Sequence, residues 1–228
     1  MTERLSDCEA LLRHTRAFSP EGRVTIVLRH SERVSFHNVP MNQWNAAGIT
    51  ENGARAAGVL GGLLVENTGA RRAQVFSWGQ RRCEETARAI ASAMARGGTD
   101  VRAPGRLTLQ GPIADYSAYE RFILSGRTSE MLDRWQRGED VNGSLVPVSE
   151  YAPKVLREIL NFGDHTDGQL CLIATHDLHI LPLACYALRD VVQPPDYLDG
   201  IVIGKSAEII RIGYGQHSTV TSAGRLTT

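Results

Sequence analysis

Val24-Thr-Ile-Val-Leu-Arg29-His30-Ser31-Glu32-Arg33 decides how the rest of the chain is read. An apolar, β-branched run stops abruptly at two arginines and a histidine. Val24 to Leu28 is too short and too branched for a helix, and predicts a strand buried on both faces. Arg29, His30 and Arg33 then fall where that strand leaves its sheet. In open α/β sheets, ligands bind beyond the carboxyl ends of strands. Three basic groups there attract an anion, and an imidazole held neutral beside them is a nucleophile. Alone, Arg-His-x-x-Arg fits a plain basic loop equally well, so the surrounding pattern has to decide.

Working outward, the strands alternate with helices. Leu5, Cys8, Leu11 and Leu12 recur at helical spacing and predict an N-terminal helix within residues 1–22, ended by Ser19-Pro20-Glu21-Gly22. Residues 36–48 lack periodicity and predict a loop beside the first motif. Phe36, His37 and Trp44 in it can line a pocket or simply pack the loop. Thr50 is a good N-cap for a helix with Ala54, Ala57, Leu60 and Leu64 on one face, stopped at Asn67-Thr68-Gly69. Ala73 to Ser77 predicts a second strand. A periodic helix follows, with Cys83, Ala87, Ile90, Ala91 and Met94 inward and Gly97-Gly98 at its end. Val101 to Ala103 predicts a short strand.

Residues from about 104 to 147 predict a small helical insertion, one helix around Tyr116 to Ile123 and another around Met131 to Trp135. Ser149 caps a helix carrying Val155, Leu156, Ile159 and Leu160. Leu170 to Thr175 predicts the third strong strand, running into His176-Asp177 and a helix through Leu188. Ile201–Ile203 and Glu208–Ile212 predict a closing hairpin turning at Gly204-Lys-Ser. Residues 216–228 predict a flexible tail. The class is therefore α/β, a three-layer α/β/α sandwich with a mostly parallel sheet, helices on both faces and the small helical insertion.

The chain of 228 residues can bury one full core, so 1–228 is expected as a single domain. Its 25 Lys and Arg balance its 25 Asp and Glu. No global field then favours nucleic acid or a membrane surface, and an anion must be held by a local cluster. Cys8, Cys83, Cys171 and Cys185 lack metal-ligand spacing and read as buried thiols, which suits a reducing compartment. The opening residues lack the layout of a signal peptide, and no apolar run is long enough to span a bilayer. The expectation is a cytoplasmic protein acting on a small molecule. Nothing in the sequence fixes the oligomeric state, and a homo-oligomer stays open.

Taken together, these stretches resemble the histidine phosphatase superfamily. Arg29-His30-x-x-Arg33 looks like its signature. Ser77-Trp-Gly-Gln-Arg-Arg82-Cys-Glu-Glu-Thr86-Ala87 looks like its Ser-Ser-Pro-x-x-Arg-x-x-Gln/Glu-Thr-Ala segment. Ala174-Thr-His176-Asp177 looks like its second histidine, and Ile49-Thr50-Glu-Asn-Gly53 like the Leu-Thr-x-x-Gly that opens its first crossover helix. The matches run in the family's order from about Val24 to Leu188. Arg33 and the His-Asp pair look like the acid-phosphatase and phytase branch, whereas the short length looks like the mutase and small-phosphatase branch. The chain departs from the pattern at Ser31, where glycine is usual, at Val34, where proline is, and at Trp78-Gly79, which replace Ser-Pro.

The resemblance implies a phosphomonoesterase working through a phosphohistidine at His30, with no metal and no cofactor. Arg29, Arg33, Arg82 and His176 would hold the phosphoryl oxygens. The His30 N–H away from phosphorus is expected to go to a backbone carbonyl. A positioned acid contributes roughly 100- to 10,000-fold. Asp177 is the first choice for it, with Asp115 and Glu120 as rivals. Trp78, Tyr116 and His179 join Phe36, His37 and Trp44 as pocket candidates. His176-x-x-His179 lacks the spacing and the further ligands of a metal site, and His14 and His165 read as surface residues. Since neighbours on a helix point about 100° apart, only one of Arg81 and Arg82 should face the site. A phosphomutase using the same intermediate, and a module that binds a phosphorylated ligand without turnover, are the alternatives.

Overall fold

The structure is a computed structural model that describes residues 8–18, 22–35, 40–107, 110–164, 170–207 and 209–226. In chain order the elements are α1 (Glu9–Phe18), β1 (Arg23–Arg29), α2 (Glu51–Thr68), β2 (Arg72–Ser77), α3 (Arg81–Arg96), β3 (Asp100–Arg106), α4 (Tyr116–Leu124), α5 (Thr128–Gln136), α6 (Val148–Asp164), β4 (Leu170–Thr175), α7 (Asp177–Leu188), β5 (Gly200–Ser206), β6 (Ile209–Tyr214), β7 (His217–Ser222) and α8 (Ala223–Leu226).

The seven strands form one sheet in the order β3-β2-β4-β1-β5-β6-β7. β3, β2, β4 and β1 pair in parallel, and β5, β6 and β7 each pair antiparallel to the strand before. Five strands, β1 to β4 and β6, thus run one way. Strand parity explains why β1 and β4 carry apolar residues on both faces. Val24, Ile26 and Leu28 point to one core with Leu170, Leu172 and Ala174; Val27, Cys171 and Ile173 point to the other. The first core is closed by α1, α2 and α3, the second by α4 to α8. This is the three-layer α/β sandwich expected.

Several expectations change. Residues 216–226 are not a loose tail, because β7 pairs with β6 and Leu226 is buried in the second core. The hairpin does not turn at Gly204-Lys-Ser. The strand continues to Ser206, and Gly204 is there because a Cβ would stand 2.8 Å from Phe18. His14 is buried rather than superficial, its Nε2 2.9 Å from the Gly215 carbonyl. Helix α2 turns Gly53, Ala57, Leu60, Gly61 and Leu64 inward and leaves Ala54 exposed. Gly61 permits this, since a Cβ there would meet Ile90 O of α3 at 2.6 Å.

Thr50 caps α2 by accepting from Gly53 N, and Gly69 ends the helix in the left-handed region. A short 3-10 helix at Met41–Ala46 breaks up the predicted loop. The insertion starts later than position 104, because β3 runs to Arg106. Its α5 is fastened by Trp135 Nε1 to Val146 O, 2.8 Å, and by Val192 N to Gln136 Oε1, 2.8 Å.

Candidate active site

The sheet order places β4 between β1 and β2, with Arg29 level with Thr175 and Ser77 level with Ala174. Three strand ends therefore release their chains at one edge, and the three sequence motifs meet there. The strand ends are stitched together by His30 N to Thr175 O, 2.8 Å, and Trp78 N to Ala174 O, 3.0 Å.

His30 is buried and held at both ring nitrogens. Nδ1 lies 2.7 Å from the Ser31 carbonyl, which can only accept, so Nδ1 carries the proton. Nε2 receives Arg82 Nε at 3.2 Å and presents its lone pair on that side. Burial chiefly drives the His30 pKa down to about 3; the Ser31 hydrogen bond opposes this, and Arg82, Arg29 and Arg33 reinforce it. The ring is thus neutral in the tautomer that leaves Nε2 nucleophilic. The departure at Ser31 has a local role. Its hydroxyl donates to Gly53 O at 2.8 Å and its N–H reaches Thr86 Oγ1 at 3.0 Å, tying the motif to α2 and α3.

Arg82 is buried at the start of α3 and also donates to Trp44 O, 2.8 Å. Its neighbour Arg81 is exposed and pairs with Glu85 at 2.7 Å, so the helix turns only one of the two inward. Arg29 donates to Pro195 O, 2.8 Å, pairs with Asp177 at 3.2 Å, and has its Nε buried without a hydrogen-bond partner. Arg33 Nη1 donates to Val34 O at 3.1 Å; burial lowers its pKa most, Tyr197 opposes this, Arg29 adds to it and Asp177 opposes it. Arg82 in contact with the ring, and Arg29 and Arg33 acting on it through their charge, give the neutral imidazole a cationic surrounding.

His176 stands at the N-cap of α7 with its ring centroid 5.2 Å from that of His30, edge to face. Burial, then Arg82, His30, His179 and Arg29, hold its pKa well below the ordinary value. Cys83 Sγ touches it, 3.5 Å from Nε2. Asp177 begins α7 and accepts from Leu178 N at 2.8 Å while facing Arg29. The rival carboxylates sit differently. Asp115 is spent on capping α4, accepting from Ser117 N and Ala118 N, and Glu120 is exposed.

Of the pocket candidates, Trp78 stacks on His179, centroids 3.8 Å apart. Tyr151 OH lies 2.8 Å from His179 Nδ1, and burial lowers the His179 pKa to about 3. Trp44 reaches the site through its carbonyl. Tyr116 is 69% exposed. Phe36, His37 and His165 lie outside the described residues. Among the described residues no three His, Cys, Asp or Glu side chains converge as a metal site requires. No helix among them is long and apolar enough to cross a membrane. A cleft of about 740 Å³ at the far end of α7, lined by Arg137, Cys185 and Arg189, contains none of these groups.

Sequence reading missed Tyr197. Its ring lies over Arg29, 4.6 Å from the guanidinium carbon, and 5.7 Å from the His30 ring. It sits in Pro194-Pro-Asp-Tyr-Leu-Asp199, a segment with no periodicity. The cue available was position alone, an aromatic between prolines and the strand that pairs with β1.

The fold has solved counterparts. Over 92% of this chain and 96% of the other, the structure superposes on phosphoglycerate mutase from Bacillus anthracis str. Sterne, with 15% identity and a TM-score of 0.55. YhfR of Bacillus stearothermophilus matches over 89% and 96%, with 18% identity and a TM-score of 0.54. Mycobacterial hydrolase 1 matches over 89% and 100%, with 14% identity and a TM-score of 0.52. The chain therefore has the phosphoglycerate mutase-like fold. No protein-family model and no curated protein matches it.

Proposed function

We propose that the chain belongs to the histidine phosphatase superfamily and hydrolyses a small phosphate monoester through a phosphohistidine at His30, without metal or cofactor. One observation carries this: a neutral imidazole with Nδ1 tied to Ser31 O and Nε2 turned toward Arg82. Nε2 attacks phosphorus as the ester oxygen departs with a proton from Asp177. Water then cleaves the N–P bond, its proton passing to the Asp177 carboxylate, which returns phosphate, neutral His30 and the acid. Arg29, Arg33, Arg82 and a neutral His176 N–H hold the phosphoryl oxygens, each worth most where charge develops in a dry site. An incoming dianion outcompetes a neutral ring for the Arg82 Nε–H, which frees the His30 lone pair. Buried thiols support a reducing, cytoplasmic setting, and zero net charge supports a small metabolite over a polyanion.

The likeness to a phosphoglycerate mutase keeps a second reading alive, transfer of the same phosphoryl group to another hydroxyl. Phosphate release is measured across sugar, nucleotide and cofactor phosphates, with and without chelator, beside isomer analysis of a glycerate phosphate. The expected outcome is chelator-resistant release that His30→Ala lowers by roughly 1,000-fold or more. Unchanged release by His30→Ala overturns the proposal, and isomer formation without release favours the mutase.

A further inference from the structure

Tyr197 is held over the nucleophile by an unusual piece of backbone. Arg29 N–H donates to Asp199 O, 2.8 Å, Leu198 N–H donates to Arg29 O, 3.2 Å, and Arg29 Nη1 donates to Pro195 O, 2.8 Å. Residues 195–199 thus clasp the residue beside His30 from its backbone to its guanidinium. The clasp includes a strained position, since Leu198 has φ +65°, a region bulky side chains rarely adopt. Its side chain is buried in the first core, which keeps it there. Such strain persists where the surroundings overdetermine it, and here it fixes which way Tyr197 faces.

The ring face covers Arg29, and the ring stands 5.7 Å from that of His30, tilted by 44°. A ring that lies on Arg29 and 5.7 Å from the His30 ring keeps its hydroxyl beside the arginine and the nucleophile. Among the described residues the hydroxyl makes no hydrogen bond to protein. It is a neutral donor on a ring that touches Arg29 and neighbours His30.

Resting on the phosphatase reading above, we propose that Tyr197 is a further catalytic residue, its hydroxyl donating a hydrogen bond to a phosphoryl oxygen in the transition state while its ring steadies Arg29. No bond to Tyr197 is made or broken, and its proton stays on oxygen. A donor on a flat aromatic arm adds to the arginines without adding charge, so it favours the five-coordinate phosphorus over the ground-state dianion.

The test separates hydroxyl from ring. Tyr197→Phe keeps the ring over Arg29, and Tyr197→Leu removes both. Each variant is checked for its melting curve, its kcat and KM on the best ester, and calorimetric binding of inorganic phosphate and of orthovanadate, which adopts the five-coordinate geometry. The expected result for Tyr197→Phe is an unchanged melt and KM, and a kcat lower by roughly 10- to 100-fold. Vanadate binding should weaken in parallel while phosphate binding holds. Equal kcat and equal vanadate affinity in Tyr197→Phe and the parent overturn the inference, and so does an equal loss of both anions. A parent chain that binds neither anion and releases no phosphate overturns the phosphatase reading itself, a different result from an active parent indifferent to Tyr197→Phe.

Discussion

His30 is neutral for two reasons that act at different ranges. Burial removes the water that would solvate an imidazolium, and the surrounding arginines repel a fourth positive charge. The Ser31 carbonyl then selects which nitrogen keeps the single proton. A nucleophile so prepared still needs help at the leaving group, because an alkoxide is strongly basic. Asp177 is the carboxylate that faces Arg29. Asp177→Asn keeps the shape and an acceptor for Leu178 N but cannot give a proton. Alkyl phosphates should then slow by roughly 100-fold or more, and nitrophenyl phosphate, whose leaving group needs little protonation, should slow far less. Steady-state rates on both ester types check this, and equal losses overturn the acid role. The carbonyl partner of His30 was legible from the sequence, and so was the rule that only one of Arg81 and Arg82 turns inward; helix geometry did not say which, and Arg82 was the choice the resemblance implied. Tyr197 was not, because its place depends on how strand β5 pairs with β1.

Helix α2 shows how an element can aim a loop. Its first turn presses on the motif after β1: Thr50 N–H donates to Glu32 O, 2.9 Å, and Ser31 Oγ to Gly53 O, 2.8 Å. There is no room for a side chain between them, as a Cβ on Gly53 would stand 2.4 Å from Glu32 O. That atom is backbone, so relief requires moving the loop that carries Arg33. Gly53→Ala should therefore cost about 1–3 kcal/mol of stability and lower kcat/KM by roughly 10-fold or more. Gly58→Ala, in the same helix with open space around it, should be neutral or stabilising by about 0.5–1 kcal/mol. Chemical denaturation and kinetics on the pair check this; a harmless Gly53→Ala would mean that the helix does not set the loop. Elements with strong periodicity, such as β1, α3 and β4, were legible because both the pattern and the burial are local. β7 and α8, at the chain's end, were not. β7 reads as polar, His217-Ser-Thr-Val-Thr-Ser222, because none of its residues is buried, so there is no apolar alternation to find.

Across the whole molecule, the site and the core compete for the same buried volume. His30, His176 and His179 sit together at the sheet edge, and burial is the leading cause of the lowered pKa in each. Unfolding exposes them to water, where each recovers the ordinary value of 6.5. Below that value the unfolded chain takes up protons that the folded chain refuses, so stability rises with pH in this window. Their contribution is complete above pH 6.5 and is lost as pH falls from there toward about 3, where His30 and His179 titrate in the folded state. Each proton so linked adds a slope of about 1.4 kcal/mol per pH unit. His179 allows the slope to be partitioned, because it contacts Tyr151 and Trp78 and makes no contact with His30 beyond the ring of His176 between them. His179→Gln keeps an acceptor for Tyr151 and removes one titrating ring. Unfolding free energies from urea curves between about pH 4 and 6.5 should show the variant's slope lower by one proton's worth. Above pH 6.5 the difference between the two chains should be constant. Parallel slopes through the acid window would show that His179 already titrates normally in the folded chain.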